Sequence, residues 1–193
     1  TPAEERGTLK AGIMRDPMPE VRALGLDLAG RELPASGRLS QEVGQAAIGL
    51  LSSADAQERT RAAEIVRQVS PDGAGPAVAQ ALAREQDPAA AGALIQAATR
   101  WPSDVTIDRT MRWMTRRTAA RRQALDAALN LLRAGVLPLA AREHTLELVR
   151  ALPDSDMTGA ACILLGNLGE DSDRDRLVPL LNSEVAGVRV GAA

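Results

Sequence analysis

The sequence predicts an all-α fold, an α-solenoid of about five and a half stacked helical hairpins. Three observations predict it. Aromatic residues are nearly missing, with two Trp, no Phe and no Tyr in 193 residues. The interior must then be filled by Leu, Val, Ile, Met and Ala, which suits close helix-on-helix packing. Apolar residues recur at helical spacing: Leu125, Ala128, Leu129 and Leu132 share one face. Breaks between such segments carry proline. Pro17, Pro34, Pro71, Pro88, Pro102, Pro138 and Pro153 all fall in or beside them, where proline can start a helix but not continue one. A single hairpin cannot bury apolar faces on both of its helices, whereas stacked hairpins bury them in one continuous core.

The segments pair in chain order. Residues 3–14 pair with 19–31, 40–52 with 56–69, and 75–85 with 88–100. Residues 104–116 pair with 118–134, 138–151 with 155–168, and 173–182 with a helix starting near 185. Asp104 and the Asp154-Ser155 pair are expected to cap helix N-termini. The whole of 1–193 is expected to form one array, part of a longer chain continuing beyond 193. Val185, Val188 and Val190 give the last unit no polar outer face, which the end of a repeat array requires.

The repeat is clearest near the C-terminal end. Met157 to Gly169 reads MTGAACILLGNLG, an apolar helix ending in Gly, followed by the polar turn Glu170 to Asp173. Next come DRLVPLLNS and VAGVRVGAA, and Val188-Arg189 aligns with Met157-Thr158. Near the N-terminus, Asp16-Pro17 precedes Val21-Arg22-Ala23, and Asp55 likewise precedes Arg61-Ala62-Ala63. In both places an aspartate in the turn stands six positions before an arginine. Arg189 keeps the arginine with Ser183 in the aspartate's place, and Ala93 follows Asp87 where an arginine is lost. These motifs resemble HEAT-like repeats of the phycobilisome-lyase type, most strongly over 8–30, 43–69 and 157–193. The resemblance implies that each Asp–Arg pair belongs to a ladder linking one repeat to the next.

Charge and composition narrow the functional classes. Hydrophobic residues make up 45% and charged residues 25%, as in folded rather than disordered chains. The net charge of −2 provides no global field toward nucleic acid or anionic lipid. Arg outnumbers Lys 22 to 1, a usage typical of GC-rich genomes. The longest uncharged stretch, about Met157 to Gly169, is too short for a membrane span. Thr1 to Arg6 is not a signal peptide. The single cysteine, Cys162, permits no intramolecular disulfide and leaves the compartment open, cytoplasmic or periplasmic.

One segment stands out as a partner-binding candidate. Residues 100–122 hold seven arginines (100, 109, 112, 116, 117, 121, 122) against two acids, Asp104 and Asp108, a local net of +5. On a helical wheel Ile107, Met111 and Met114 form the core stripe, with Arg109, Arg112 and Arg116 roughly opposite and Trp113 on the flank. Arginine forks suit carboxylates and phosphates. Trp113 beside them suits stacking on a base or anchoring a protein, or else packs against the next repeat within a solvated charged face. The candidate contact set is Arg109, Arg112, Trp113, Arg116 and Arg117.

Other residues read as structural. Trp101, before Pro102, ends a helix and plugs between two repeats. His144, the only histidine, has Glu143 beside it and Glu147 one turn on, short of the three or four convergent ligands that a metal needs. Cys162 lies in an apolar run with no activating base and reads as core. The Gly73-Ala74-Gly75 triplet follows a helix rather than a strand and reads as a turn. One histidine, no Tyr and no GxSxG motif argue against a hydrolase triad.

The resulting expectation is a non-catalytic protein-interaction scaffold or accessory subunit, without cofactor or metal, whose partner presents an acidic surface. Two alternatives rest on the resemblance. HEAT-like alkylpurine DNA glycosylases use Trp, Arg and Asp on an inner surface, which implies nucleic-acid binding through 100–122. Phycobilin lyase-like chaperones carry the same repeat type, which implies tetrapyrrole delivery, with no pigment-holding motif in this chain. HEAT-like deoxyhypusine hydroxylases hold iron with several His-Glu pairs, and the single reversed Glu143-His144 does not match them.

Overall fold

The computed structural model describes residues 2–36 and 41–193, with side chains from 5–31 and 41–193. Its described residues form twelve α-helices and no strand. They are α1 (Pro2–Met14), α2 (Pro19–Ser36), α3 (Gln41–Leu50), α4 (Ala56–Val69), α5 (Ala74–Arg84) and α6 (Pro88–Ala98). Then follow α7 (Asp104–Met114), α8 (Ala120–Arg133), α9 (Leu139–Arg150), α10 (Gly159–Leu168), α11 (Arg174–Leu180) and α12 (Ala186–Ala192). The chain divides into two compact units, Thr1–Trp101 and Pro102–Ala193.

In the first unit the hairpins are α1/α2, α3/α4 and α5/α6. First helices pack on first helices, α1 on α3 and α3 on α5, while α4 packs on both α2 and α6. The core is mostly aliphatic: Met14, Leu26, Val43, Ile65, Val66, Leu82, Leu94 and Ile95 are essentially buried. Ala62, Ala63, Ala90, Ala91 and Ala97 let the axes of α4 and α6 approach. Trp101 lies against the Cα of Gly75, where a Cβ would crowd its ring. This contact is made within the α5/α6 hairpin, whereas a place between two repeats was expected.

In the second unit the hairpins are α7/α8, α9/α10 and α11/α12, with α7 on α9, α8 on α10 and α10 on α12. Gly191 and Gly187 of α12 meet Gly159 of α10 backbone to backbone, and a Cβ at Gly159 or Gly191 would overlap main-chain atoms. Leu125, Ala128 and Leu129 are buried as their spacing predicts, whereas Leu132 is half-exposed. Cys162 is fully buried, and burial pushes its thiol pKa above the ordinary value.

Most helix ends lie within about one turn of expectation, and α2 runs five residues further. The N-cap of α7 is Ser103, which exchanges hydrogen bonds with Thr106 in a capping box, so Asp104 is the first helical residue. Asp154–Asp156 form a short 3-10 turn, and Thr158 caps α10 by accepting from Ala161 N–H. The break expected at Pro34 is corrected, since α2 runs through it to Ser36. The side chain at 34 lies outside the described set.

The turns are tied by arginines. Arg22 Nη1 donates to the carbonyls of Asp16 and Pro17 at 3.1 and 2.9 Å. Arg59 Nη1 does the same to Ser53 and Ala54 at 2.9 and 3.0 Å. Arg121 takes Thr115 and Arg116 at 3.5 and 3.0 Å, and Arg189 takes Ser183 and Glu184 at 2.6 and 3.0 Å. Each arginine stands six residues after the first carbonyl it takes. Three of them also bond a carboxylate of the following hairpin: Arg22 with Glu58 at 3.1 Å, Arg59 with Glu85 at 2.7 Å, and Arg121 with Asp156 at 2.6 Å.

This geometry corrects the spacing read from sequence. The aspartate side chains are not the arginines' partners. Asp16 accepts from Met18 N–H and Asp55 from Gln57 N–H, each closing its own turn. The turn arginine of the second hairpin is Arg59, not Arg61. Arg61 reaches back to Asp27 of α2 at 2.5 Å. Main-chain carbonyls are present whatever the side chain, so Ser53 and Ser183 serve as well as Asp16.

Burial makes two of these pairs consequential. Glu58 and Glu85 are nearly inaccessible, at 2% and 1% side-chain exposure. Burial alone raises the Glu85 pKa. The hydrogen bonds from Arg59 and from the Asp87 and Gln86 N–H groups outweigh it and hold the carboxyl below its ordinary value of 4.5. Removing the cation strands a buried charge, which costs about 3–5 kcal/mol. Arg59→Ala is therefore expected to lower the unfolding free energy by about that amount in urea titration. A depressed folded pKa contributes stability that is present above pH 4.5 and lost as pH falls through the lower folded value. Wild-type protein should accordingly lose stability in acid below that point, and Glu85→Gln should remove part of this dependence.

Candidate functional site

The arginine-rich segment forms α7, its turn and the start of α8. Thr106, Ile107, Thr110, Met111, Trp113 and Met114 face inward. The core stripe is the expected one, widened by Trp113, which is only 3% exposed. The expectation that Trp113 offers its ring to a partner is thus corrected. Its position on the wheel lies at the edge of the apolar stripe, and a large ring there gains more from burial than from solvent. Arg116 lies over the ring, with its guanidinium carbon 4.2 Å from the centroid. A cation over an indole face is attracted by the ring's quadrupole.

The remaining arginines divide by exposure. Arg112 and Arg117 are the most open, at 60% and 79%, and Arg116 and Arg122 are also exposed. Arg109 is half-buried, and its Nε is enclosed without a hydrogen bond, the nearest carboxylate oxygen being Asp108 Oδ2 at 4.0 Å. Arg112 meets the same Asp108 at 3.1 Å, one turn away on the same helix. Such an exposed pair contributes little and gives way readily to a partner's carboxylate. Arg121 is 11% exposed and spent on the turn and Asp156, while Arg117 stands 3.9 Å from the same aspartate.

Asp108 thus pairs with Arg109 and Arg112, Asp156 with Arg117 and Arg121, and Asp126 feels the charge of Arg122, so the excess of open arginine lies at Arg112, Arg116 and Arg117. Sequence counting found the cluster and its core stripe. It missed that Arg121 is structural and that Asp156, 35 residues on, enters the cluster. The available signal for Arg121 was its position six residues past the Thr115 carbonyl.

Other candidates are placed as follows. His144 is exposed, 3.6 Å from Glu147. Among the described residues no group of three or more His, Cys, Asp or Glu is arranged to hold a metal. No described helix is long and apolar enough to cross a membrane. In the first unit a cleft of about 500 Å³ lies between α3 and α5, bounded by Ile48, Leu51, Ala77 and Ala81 with Arg59 and Glu85. Those two charges satisfy each other there.

No protein-family model matches the chain, and no curated protein matches it.

The cluster generates a stability prediction. Trp113→Ala removes a buried ring and is expected to cost about 3–5 kcal/mol, seen as a lowered denaturation midpoint. Arg117→Ala, on an open side chain, should leave the midpoint within about 0.5 kcal/mol of wild type.

Proposed function

We propose that the chain is a HEAT-like helical-repeat scaffold that does no chemistry itself and docks an acidic protein surface through α7 and the start of α8. The observation that carries this reading is the surplus of open guanidinium groups at Arg112, Arg116 and Arg117 over the acids beside them, Asp108 and Asp156. Planar, weakly hydrated guanidinium forks pair with carboxylates in two-point geometry, which suits them to protein interfaces. Consecutive hairpins stacked first helix on first helix and second on second support the repeat reading. A rigid packed array holds such a surface without the entropy cost of ordering it on binding.

Arg109 and Trp113 support the surface rather than contact the partner. Trp113 anchors the helix in the core, and Arg116 over its ring fixes the direction of that side chain. With Trp113 buried, base stacking has no exposed aromatic on this face, which favours a protein over a nucleic acid.

The test is affinity purification from the native host with nuclease treatment, followed by crosslinking. A stoichiometric protein partner crosslinked to α7 is expected, and Arg112→Glu with Arg117→Glu should abolish its capture without changing the helical circular dichroism. Recovery of nucleic acid alone, with affinity falling steeply as salt rises, would replace this reading by phosphate binding.

A further inference from the structure

The first unit holds a cleft that the α7 surface does not use. Ala62, Ala63, Ala90 and Ala91 draw α4 and α6 together, whereas α3 meets α5 less closely. At its start α3 is held to the turn between α4 and α5. A Cβ at Gly44 would overlap Val69 and Pro71, and Gln45 Nε2 donates to the Asp72 carbonyl at 2.8 Å. Toward the C-termini of α3 and α5 a gap of about 500 Å³ opens, a size common among small-molecule sites.

The walls are apolar and made of small residues. Ile48, Gly49 and Leu51 form one. Opposite stand Ala77, Gln80, Ala81 and Arg84, which recur at helical spacing on a second face of α5, apart from its core residues Val78 and Leu82. A Cβ at Gly49 would meet no atom within 4 Å, so a side chain added there enters open space.

Most polar groups of the cleft are already spent. Arg59 is held by the Ser53 and Ala54 carbonyls and by Glu85. Glu85 also accepts from the Gln86 and Asp87 N–H groups. Ser52 donates to the Gly49 carbonyl and Ser53 to Glu58. Asp55 and Asp87, which also act on Arg59, cap the starts of α4 and α6 rather than line the cleft. The side chains of Gln80, Arg84 and Gln86 are exposed and bond no described residue. Arg59 and Glu85 cancel, so the lining carries one open positive charge, at Arg84, with two free amides beside it.

We propose that this cleft binds a small amphiphile bearing a single acid group, its apolar body against Ile48, Leu51, Ala77 and Ala81 and its acid on Arg84. Burial of the aliphatic walls supplies the affinity, and the guanidinium fork selects the anion. The site is separate from the α7 surface and stands or falls apart from the docking function.

Fluorescence titration of the whole chain tests this with two probes. One is the monoanion 8-anilinonaphthalene-1-sulfonate, and the other is N-phenyl-1-naphthylamine, the same ring system without the acid. Both should bind saturably. Gly49→Leu fills the gap and should weaken both about tenfold or more. Arg84→Gln should weaken the anion about tenfold and leave the neutral probe unchanged. Both variants should keep the wild-type circular dichroism, since Gly49 has room for a side chain and the Arg84 side chain bonds no described residue. Arg112→Glu with Arg117→Glu should leave both probes unaffected. Absence of saturable binding overturns the proposal, as does undiminished binding by Gly49→Leu. An anion indifferent to Arg84→Gln, or one lost with the α7 charges instead, overturns it as well.

Discussion

The structure depends on a guanidinium group that does two jobs at once. A turn that leaves one helix and enters the next exposes carbonyls with no intrahelical partner. Arg22, Arg59 and Arg121 satisfy those carbonyls and, with the same planar fork, hold a carboxylate of the next hairpin. Turn geometry and hairpin stacking are thereby coupled: neither can shift without breaking bonds in the other. Lysine could not substitute, since a point charge lacks the several fixed directions that the fork supplies. The near-exclusive use of Arg over Lys acquires a structural role at these positions.

The coupling matters because the core is poor in large side chains. With no Phe or Tyr, packing rests on aliphatic residues and on alanine and glycine contacts such as Gly159 with Gly187 and Gly191. Small residues allow close approach but specify register weakly, since one alanine resembles the next. Buried charge pairs are poor sources of net stability, but they penalise wrong registers heavily because a misplaced Glu58 or Glu85 would be buried alone. Directional bonds fix the stacking that the aliphatic contacts drive. Where the turn position of Arg59 is taken by Ala91 in the third hairpin, α6 instead packs through buried alanines and Leu94-Ile95.

The same residue type serves a different purpose on α7. There the arginines outnumber the acids and remain in water, so they stabilise little and are available to a partner. Trp113, the one large ring on that helix, is spent on the core and on orienting Arg116. Stability and recognition are therefore divided between neighbouring side chains: Arg121 is committed to the fold, and Arg117, four residues earlier, is left open beside the same Asp156.

Much of the architecture was written in local pattern. Helical periodicity and proline breaks located the helix pairs, because amphipathic spacing and the lost N–H of proline act within a few residues. The cluster at 100–122 and its inward stripe at Ile107, Met111 and Met114 were legible for the same reason. Tertiary structure alone decided which arginines were spent. Arg59 rather than Arg61 ties the second turn, Asp156 joins α7 from 35 residues away, and Trp113 turns inward rather than out. Those outcomes depend on which side chains meet across hairpins and on how far each is removed from water. Spacing along a single helix carries neither quantity.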